Sequence, residues 1–303
     1  MSSIAHHQAG NRPRVSAAAA GVLVLCCAIW GLNQVAIKLG GNGISPALQA
    51  GLRSAGSALL LMGWMGFRRM PLFPRDGTWP AGLLVGVLFA GEFIFHYVGL
   101  TLTTASHSVV LLYSSPFAVA IGSHFLVPGD RLTRNKVIGL LAAFAGIVLA
   151  FAERIGGFGS SSQLLGDAMC LLAGALWGAT TVAIKATRLR SAAAENTLLY
   201  QLVVSTPILL AMAPLLGEKG IVEFDLKVAL AFAYQVVIVA FASFLVWFWL
   251  IRHYSATAIA AFAFLTPIFG VFFAWLLLGE SISISLLGAV VLIAIGIYIV
   301  NRG

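Results

Sequence analysis

The chain has 303 residues, of which 60% are hydrophobic and only 9% are charged, and its mean hydropathy is +0.98. Soluble domains carry about 25% charged residues, so this composition excludes an ordinary soluble enzyme, and its apolar content excludes a disordered chain. The net charge of +8 does not indicate a nucleic-acid partner, because the basic residues lie in short segments between apolar stretches. We therefore expect the partner surface to be a lipid bilayer.

The apolar stretches predict an all-α polytopic membrane protein. A polar tail, residues 1–15, comes first and is expected to be cytoplasmic. A helix needs about 20 apolar residues to cross the hydrocarbon core, and ten stretches of this kind follow. The predicted transmembrane helices cover residues 16–39, 45–67, 79–100, 104–126, 133–152, 164–186, 195–216, 226–251, 255–278 and 282–300.

The distribution of Lys and Arg predicts the orientation of these spans. One set of connecting segments carries most of the basic residues, with clusters at Arg68–Arg69, at Arg131–Lys136 and at Arg188–Arg190. Basic loops face the cytoplasm in multi-pass membrane proteins. The pattern therefore places both termini on the cytoplasmic side of the membrane, which we expect to be a bacterial cytoplasmic (inner) membrane.

An internal repeat divides the chain into two halves. Residues 28–38 (AIWGLNQVAIK) recur 147 residues later as residues 175–185 (ALWGATTVAIK), with seven of eleven positions identical. In the same order, Tyr113–Pro116 matches Phe264–Pro267, and the pair Gly-Asp at 129–130 matches Gly-Glu at 279–280. We predict a first five-helix repeat over residues 16–152 and a second over residues 164–300.

Five spans in each half make the repeat an inverted one. Because five is odd, the two halves cross the membrane in opposite directions. In secondary transporters this design places the substrate site near the midplane, between the halves. Some channels share the design, so the repeat by itself indicates passage across the membrane.

These features resemble the EamA family of the drug/metabolite transporter superfamily. The shared features are ten spans in two halves, Trp-Gly early in each half, a proline in spans four and nine, and Gly-Asp or Gly-Glu after them. Within the family, the chain resembles bacterial exporters of aromatic and other amino acids. The resemblance implies a carrier of small metabolites with a central cavity lined by spans one, three, four, six, eight and nine.

Two matching polar stripes are candidate substrate-binding residues. Trp30, Asn33 and Gln34 are spaced i, i+3 and i+4, so they share one face of span one. The repeat places an equivalent stripe on span six, formed by Trp177, Thr180 and Thr181. Uncharged polar groups in a membrane helix face protein or a wet cavity. Interhelical hydrogen bonding is the alternative interpretation.

Span three carries two ionisable residues on one face, Glu92 and His96. Charged groups at membrane depth are costly and are therefore functional candidates. The pair is expected to hold a substrate ammonium group or to transfer a proton; a structural role in joining two helices is the alternative. Arg53, Lys38 and Lys185 are interpreted as peripheral cations. Arg53 lies inside span two, toward its outer side, where we expect it either to reach the interface or to pair with an acidic residue.

Pro116 and Pro267 are predicted to kink spans four and nine, and we interpret them as conformational hinges. Each proline frees a backbone carbonyl that a cavity or a neighbouring hydroxyl can reach. The adjoining residues complete the predicted substrate-binding set, together with an aromatic residue of span eight. These are Tyr113, Ser114, Phe264 and Tyr234.

Together these features predict an alternating-access exporter of amino acids or similar small metabolites, with broad specificity and no enzymatic activity. The cysteines and histidines show no metal-ligand spacing, so no cofactor, metal or catalytic residue is expected. A monomer is expected. The alternatives are an exporter of drugs, nucleobases or sugars, a channel, and an intramembrane enzyme, although no HExxH or GxSxG motif is present. Proton coupling and facilitated diffusion both remain open.

Overall fold

The computed structural model describes residues 15–103, 105–151, 160–279 and 285–302. Nearly all of the predicted tail, residue 152 and the Glu280 half of the second Gly-Glu pair lie outside these ranges. The described residues form thirteen α-helices. These are α1 (Ala17–Gly40), α2 (Pro46–Phe67), α3 (Trp79–Leu102), α4 (Ala105–Leu112), α5 (Ser115–Leu126), α6 (Arg134–Phe151), α7 (Ser161–Ala186), α8 (Ala194–Leu215), α9 (Leu226–Tyr234), α10 (Phe244–His253), α11 (Ala256–Phe262), α12 (Thr266–Leu278) and α13 (Ser285–Arg302).

The all-α class is therefore confirmed, while the number of spans stays a prediction. Six stretches of the described residues are long and apolar enough to cross a membrane. They are Ala17–Ile37, Trp79–Leu100, Ser161–Ala186, Ala194–Leu215, Leu226–His253 and Ala256–Leu277. Two shorter apolar helical stretches, Val110–Leu126 and Gly288–Arg302, accompany them.

The outer surface of the helices is strongly apolar. Large side chains such as Phe67, Phe125 and Leu59 are among the most exposed residues, at 83%, 77% and 66%. A soluble protein rarely exposes such a continuous apolar surface. Such a surface is stable in a membrane, where these side chains contact lipid tails and not water.

Side-chain caps fix where several helices begin. Ser16 accepts a hydrogen bond from the backbone N–H of Ala19 at the start of α1, and Asp225 accepts one from that of Val228 at the start of α9. The first N–H groups of a helix have no partner within the helix, so such caps stabilise its beginning.

Pro116 and Pro267 lie where spans four and nine are interrupted, and neither is inside one uninterrupted α-helix. Span four is instead two helices, α4 and α5, and Pro116 is the second residue of α5. Span nine is likewise divided into α11, a short 3-10 helix (Ala263–Leu265) and α12, with Pro267 second in α12. The physical reason is that proline has no N–H to donate and therefore fits the first turn of a helix better than its interior.

Span eight contains a feature that the sequence does not predict. Residues Gln235–Ser243, which we call the π segment, form a π-helix between α9 and α10. Such wide turns are rare and occur often at functional sites. Ser57 of α2 donates a hydrogen bond to the carbonyl of Val236 at 2.9 Å, which ties the segment to the first half of the chain.

Equivalent helices of the two halves run antiparallel where they meet. The start of α2 meets the end of α8, because the backbone N–H groups of Ala47 and Leu48 donate to Glu218 at 2.8 and 3.0 Å. In α6 and α13, Gly139 lies against Gly296. Earlier in α13 and later in α6, Ala289 lies against Gly146.

The contacts between the halves also occur in matching pairs. Helix α1 packs against α12 and the π segment, and its counterpart α7 packs against α5 and α3. Small residues allow these close approaches: a methyl group added at Gly178 would lie 2.6 Å from the Cβ of Ala118. Small residues at Gly174 and Gly178 thus allow close packing between α7 and the α4–α5 segment.

Candidate functional site

A cavity of about 210 Å³ lies between the two halves. Its walls come from α1, α2, α3 and α4 of the first half and from α7, α8, the π segment and α10 of the second. The lining residues are Trp30, Asn33, Gln34, Ile37, Arg53, Phe89, Glu92, Phe93, His96, Tyr97, Leu100, Ser108, Leu112, Tyr113, Trp177, Thr180, Thr181, Gln201, Val239, Phe244, Trp247 and Phe248.

Aromatic rings form one part of this lining, with Trp30 at the centre. The ring centroid of Trp30 lies 4.6 Å from that of Trp247, 5.6 Å from that of Phe244 and 6.2 Å from that of Trp177. Trp177 also contacts Tyr113 edge-on at 5.5 Å. We call these five residues the aromatic cluster. Edge-to-face contacts of this kind stabilise a rigid apolar surface.

The π segment holds Trp30 in place. The indole Nε1 of Trp30 donates to the hydroxyl of Ser243 at 2.8 Å, and that hydroxyl donates to the carbonyl of Val239 at 2.6 Å. The wider turn of the π segment thus presents a hydroxyl to the first half of the chain. Because the indole N–H is already used, Trp30 offers only its ring face and edges to a ligand.

The predicted threonines line the cavity with their protons directed to their own helix. Thr180 donates to the carbonyl of Leu176 at 2.9 Å, and Thr181 donates to that of Trp177 at 3.4 Å. Their oxygens remain available as acceptors. Asn33 is 7% exposed, and its Oδ1 has no hydrogen-bond partner among the described residues.

Three ionisable residues also line the cavity: Arg53, Glu92 and His96. Arg53 is 2% exposed, and its guanidinium carbon lies 4.6 Å from the centroid of the Phe93 ring. Within the described part of the chain, its Nε and Nη2 atoms and the Oε2 atom of Glu92 have no hydrogen-bond partner. His96 stacks on Tyr97 with ring centroids 5.8 Å apart.

The structure brings nine of the predicted binding residues to this cavity and places three elsewhere. Ser114 donates to the carbonyl of Leu111, and Tyr234 donates to that of Ile29 at 2.9 Å. Phe264 is fully buried and packs edge-on against Phe117. The nine cavity residues are Trp30, Asn33, Gln34, Glu92, His96, Tyr113, Trp177, Thr180 and Thr181.

Sequence reasoning missed Arg53 and Gln201 as lining residues. Both side chains are almost fully buried, and both amide atoms of Gln201 lack a partner in the described structure. The repeat relates the two residues. Arg53 is the eighth residue of α2, counted from Pro46, and Gln201 is the eighth residue of α8, counted from Ala194. Because α2 and α8 run antiparallel, the two equivalent positions lie at different depths in the bundle.

Beyond the cavity, one buried carboxylate joins the halves at the predicted cytoplasmic end. Asp130, just after α5, accepts hydrogen bonds from Lys136 at 2.7 Å, from the hydroxyl of Ser255 at 2.8 Å and from the backbone N–H of Thr257 at 3.2 Å. Burial raises the pKa of Asp130, but the hydrogen bonds and the charge of Lys136 outweigh it and hold the pKa below 3.8. We call these four residues the Asp130 cluster.

A second buried cation, besides Lys136, lies at the same end of the bundle. Lys185 is 2% exposed and donates to the backbone carbonyl of Tyr254 at 2.6 Å. Lysine near a helix C-terminus complements the carbonyl groups there, but the carbonyl that Lys185 reaches belongs to the end of α10 rather than to α7. The described residues contain no group of three or more His, Cys, Asp or Glu side chains arranged to hold a metal ion.

Several proteins with similar sequences are named as transporters or efflux pumps. An uncharacterized transporter of Archaeoglobus fulgidus is 27% identical over 92% of this chain and 95% of its own length. A probable amino-acid metabolite efflux pump of Escherichia coli is 27% identical over 92% of this chain and 93% of the pump, and that of Salmonella typhimurium is 26% identical over 91% and 92%.

The fold is also found among solved structures. One crystal structure superposes with a TM-score of 0.79 over 94% of this chain and 96% of that chain, at 20% sequence identity. The EamA-like transporter family matches the chain twice, over residues 18–152 and again over residues 164–302. The predicted resemblance is thus confirmed, and the bacterial efflux-pump relatives are consistent with the inner membrane. The chain belongs to the EamA-like transporter family and is a multi-pass membrane transporter.

Proposed function

We propose that this transporter exports amino acids or similar small metabolites by alternating access, with broad specificity. The observation that carries the proposal is the cavity between the two halves. It combines an aromatic cluster with a few polar groups, and lining residues come from both halves. Ligand sites of this composition suit small molecules that have an apolar part and a small number of polar groups.

The antiparallel contacts support an inverted repeat in the membrane. Because α2 meets α8 and α6 meets α13 in opposite directions, equivalent helices of the two halves cross the bilayer with opposite polarity. This arrangement agrees with ten spans, halves at residues 16–152 and 164–300, and both termini in the cytoplasm. In transporters of this design, one half moves against the other around a central site.

The exposure of the cavity walls supports an outward-facing state. Gln34 and Leu100, toward the predicted outer ends of α1 and α3, are exposed, whereas Trp247 and Phe248 of α10 are buried. The Asp130 cluster and the Lys185 contact close the cytoplasmic end. Pro116 and Pro267 begin helices at matching places in the two halves, so they are the proposed hinges for closing the outer end and opening the inner one.

The class of substrate rests on the lining and on the relatives. The bacterial relatives at 26–27% identity are called probable amino-acid metabolite efflux pumps. The cavity offers apolar rings, neutral acceptors, one acid and one guanidinium, which match a zwitterion with an apolar side chain. With few donors and acceptors available to reject analogues, we expect several amino acids to be accepted.

Counterflow in proteoliposomes tests the proposal. Vesicles containing the purified protein are loaded in turn with each unlabelled amino acid, and the accumulation of external labelled L-phenylalanine is measured. A carrier gives saturable accumulation that depends on the internal amino acid. The variant Trp177→Ala should reduce accumulation, while Gly63→Ala, at a position with open space around it, should behave as wild type.

Two outcomes would overturn the proposal in different ways. No accumulation with any of the twenty amino acids would exclude this substrate class, and drugs, nucleobases and sugars would be tested next. Flux that does not saturate and does not respond to the internal amino acid would indicate a channel. The pH dependence of flux in Glu92→Gln and His96→Ala variants separates proton coupling from facilitated diffusion.

A further inference from the structure

Two buried, hydrogen-bonding side chains of the cavity lack partners. Arg53 is 2% exposed with two guanidinium nitrogens unpaired among the described residues, and Gln201 is 0% exposed with both amide atoms unpaired. Burying such groups without a partner is costly, most of all for a charge. Native proteins retain such groups where a ligand supplies the missing hydrogen bonds.

The surroundings of Arg53 select the kind of ligand. Phe93 covers one face of the guanidinium, with its ring centroid 4.6 Å from the guanidinium carbon. Nε and Nη2 lie on one edge of the guanidinium plane, and both are unpaired. This edge is the fork that binds the two oxygens of a carboxylate. The free edge of Arg53 therefore favours a planar anion.

Gln201 lies at a different depth in the same cavity. Because α2 and α8 run antiparallel, with Ala47 at Glu218 and Gly51 against Leu210, the eighth residues of the two helices are not opposite one another. Gln201 is therefore not assigned to the anion site. Among the described lining residues, Arg53 is the one with a fixed positive charge, which favours an anion of low charge over a phosphate dianion.

Glu92 gives the cavity a charge of the opposite sign. Its Oε2 atom also lacks a hydrogen-bond partner in the described structure, and it adjoins Phe93 in the chain. A carboxylate in a largely apolar cavity favours an ammonium group. One positive and one negative group in a cavity of about 210 Å³ match the two charges of a single small zwitterion.

We propose that Arg53 binds the α-carboxylate of an amino acid and that Glu92 binds its α-ammonium group. The amino-acid side chain then lies on the aromatic cluster. This inference rests on the proposed export of amino acids and names the groups that recognise the backbone common to them. It explains how one cavity accepts many amino acids, since the fixed contacts involve the atoms that all of them share.

Binding to purified protein in detergent tests each contact separately. The probes are L-phenylalanine, L-leucine and L-threonine, the carboxamide of each, which lacks the carboxylate, and 3-phenylpropionate, which lacks the ammonium group. Affinity is measured by calorimetry and by the rise in unfolding temperature with ligand. Wild-type protein should prefer each amino acid over its carboxamide by about tenfold to a hundredfold, the range for hydrogen bonds to charged groups.

Each variant should lose a different preference among these ligands. Arg53→Gln should lose the preference for the amino acid while its affinity for the carboxamide changes little, and Arg53→Lys should keep part of the preference. Glu92→Gln should lose the preference for L-phenylalanine over 3-phenylpropionate but keep the preference over the carboxamide. Ser54→Ala is the matched control, because Ser54 is buried beside Arg53 with its hydroxyl unpaired and is not a lining residue.

An unchanged preference for the amino acid in Arg53→Gln would overturn the inference. If that variant fails to fold, Glu92→Gln decides the matter, since an unchanged preference for L-phenylalanine over 3-phenylpropionate in that variant would also overturn the inference. Counterflow distinguishes a failure of this inference from a failure of the proposed function. Saturable amino-acid counterflow by wild type together with unaltered selectivity in the variants would refute this inference alone. Neither binding nor counterflow with any amino acid would refute the proposed function as well.

Discussion

Lys136 donates a hydrogen bond to Asp130 at 2.7 Å, and both side chains are buried. The same carboxylate accepts hydrogen bonds from Ser255 and Thr257 at the start of α11. Asp130 follows α5 in the first half, whereas α11 belongs to the second. One carboxylate therefore caps a helix of the opposite half and neutralises a lysine of its own.

Replacing Asp130 should destabilise the protein. In Asp130→Asn the ammonium group of Lys136 remains buried without a negative charge beside it, and breaking a buried pair costs about 3–5 kcal/mol. We expect a lower unfolding temperature in detergent and a cytoplasmic end that is easier to open. The double variant Asp130→Asn/Lys136→Met should recover part of the loss, and an equal or lower stability of the double variant would contradict this account.

Acid should remove the stability that ionised Asp130 contributes to the folded protein. Because the folded-state pKa of Asp130 lies below 3.8, ionised Asp130 stabilises the folded protein at pH values above 3.8. This stability is lost as the pH falls through the depressed pKa. The difference in unfolding temperature between wild type and Asp130→Asn should therefore be constant near neutral pH and shrink below about pH 4. A difference that stays constant down to about pH 2.5 would assign the effect to packing.

The seam between α6 and α13 should tolerate no added atoms. A methyl group at Gly296 would lie 2.5 Å from the carbonyl oxygen of Gly139 and 2.6 Å from the backbone nitrogen of Ala143. We expect Gly296→Ala to cost about 1–3 kcal/mol through overpacking, measured by thermal unfolding in detergent. Gly63→Ala is the control, since nothing lies within 4 Å of the added carbon there; a methyl group in a helix should leave stability unchanged or slightly raised.

Substitutions at Phe264 and Trp177 should have different effects, the first on stability and the second on ligand binding. Phe264 is fully buried and packs against Phe117 and Phe144, so Phe264→Ala should lower stability by about 3–5 kcal/mol with little change in substrate selectivity. Trp177→Ala removes a cavity wall and should weaken the binding of L-phenylalanine. Calorimetric binding and thermal unfolding of both variants test this contrast, and a selectivity change in Phe264→Ala would refute it.

The repeat made a large part of the cavity predictable. Trp30 and Trp177 are recognisable as equivalent because seven of eleven positions in the segments that contain them are identical, and helical spacing then adds Asn33 and Thr180 to the same faces. The repeat was less informative at Phe264, since it reports equivalent backbone positions and not which way a side chain packs. Tyr113 lines the cavity, while its counterpart Phe264 fills the core.

Two features depend on contacts that no local pattern encodes. The π segment has an ordinary apolar sequence, and its wide turns are supported from outside, by Trp30 and Ser57 of the first half. For Arg53, the sequence leaves open whether the side chain reaches the interface or pairs with an acidic residue. Its actual burial beside Phe93 depends on where α2 and α3 meet the second half.

The hydrogen bonds of Trp30 and of the two neighbouring threonines affect which ligands this part of the cavity accepts. The indole proton of Trp30 and the hydroxyl protons of Thr180 and Thr181 are all directed to protein oxygens. At these three positions the cavity therefore offers ring surface and lone pairs, so a ligand that lacks a polar side-chain atom leaves none of these three donors unsatisfied. Phenylalanine and tyrosine would differ little here, and this part of the cavity would distinguish ligands by shape rather than by functional group.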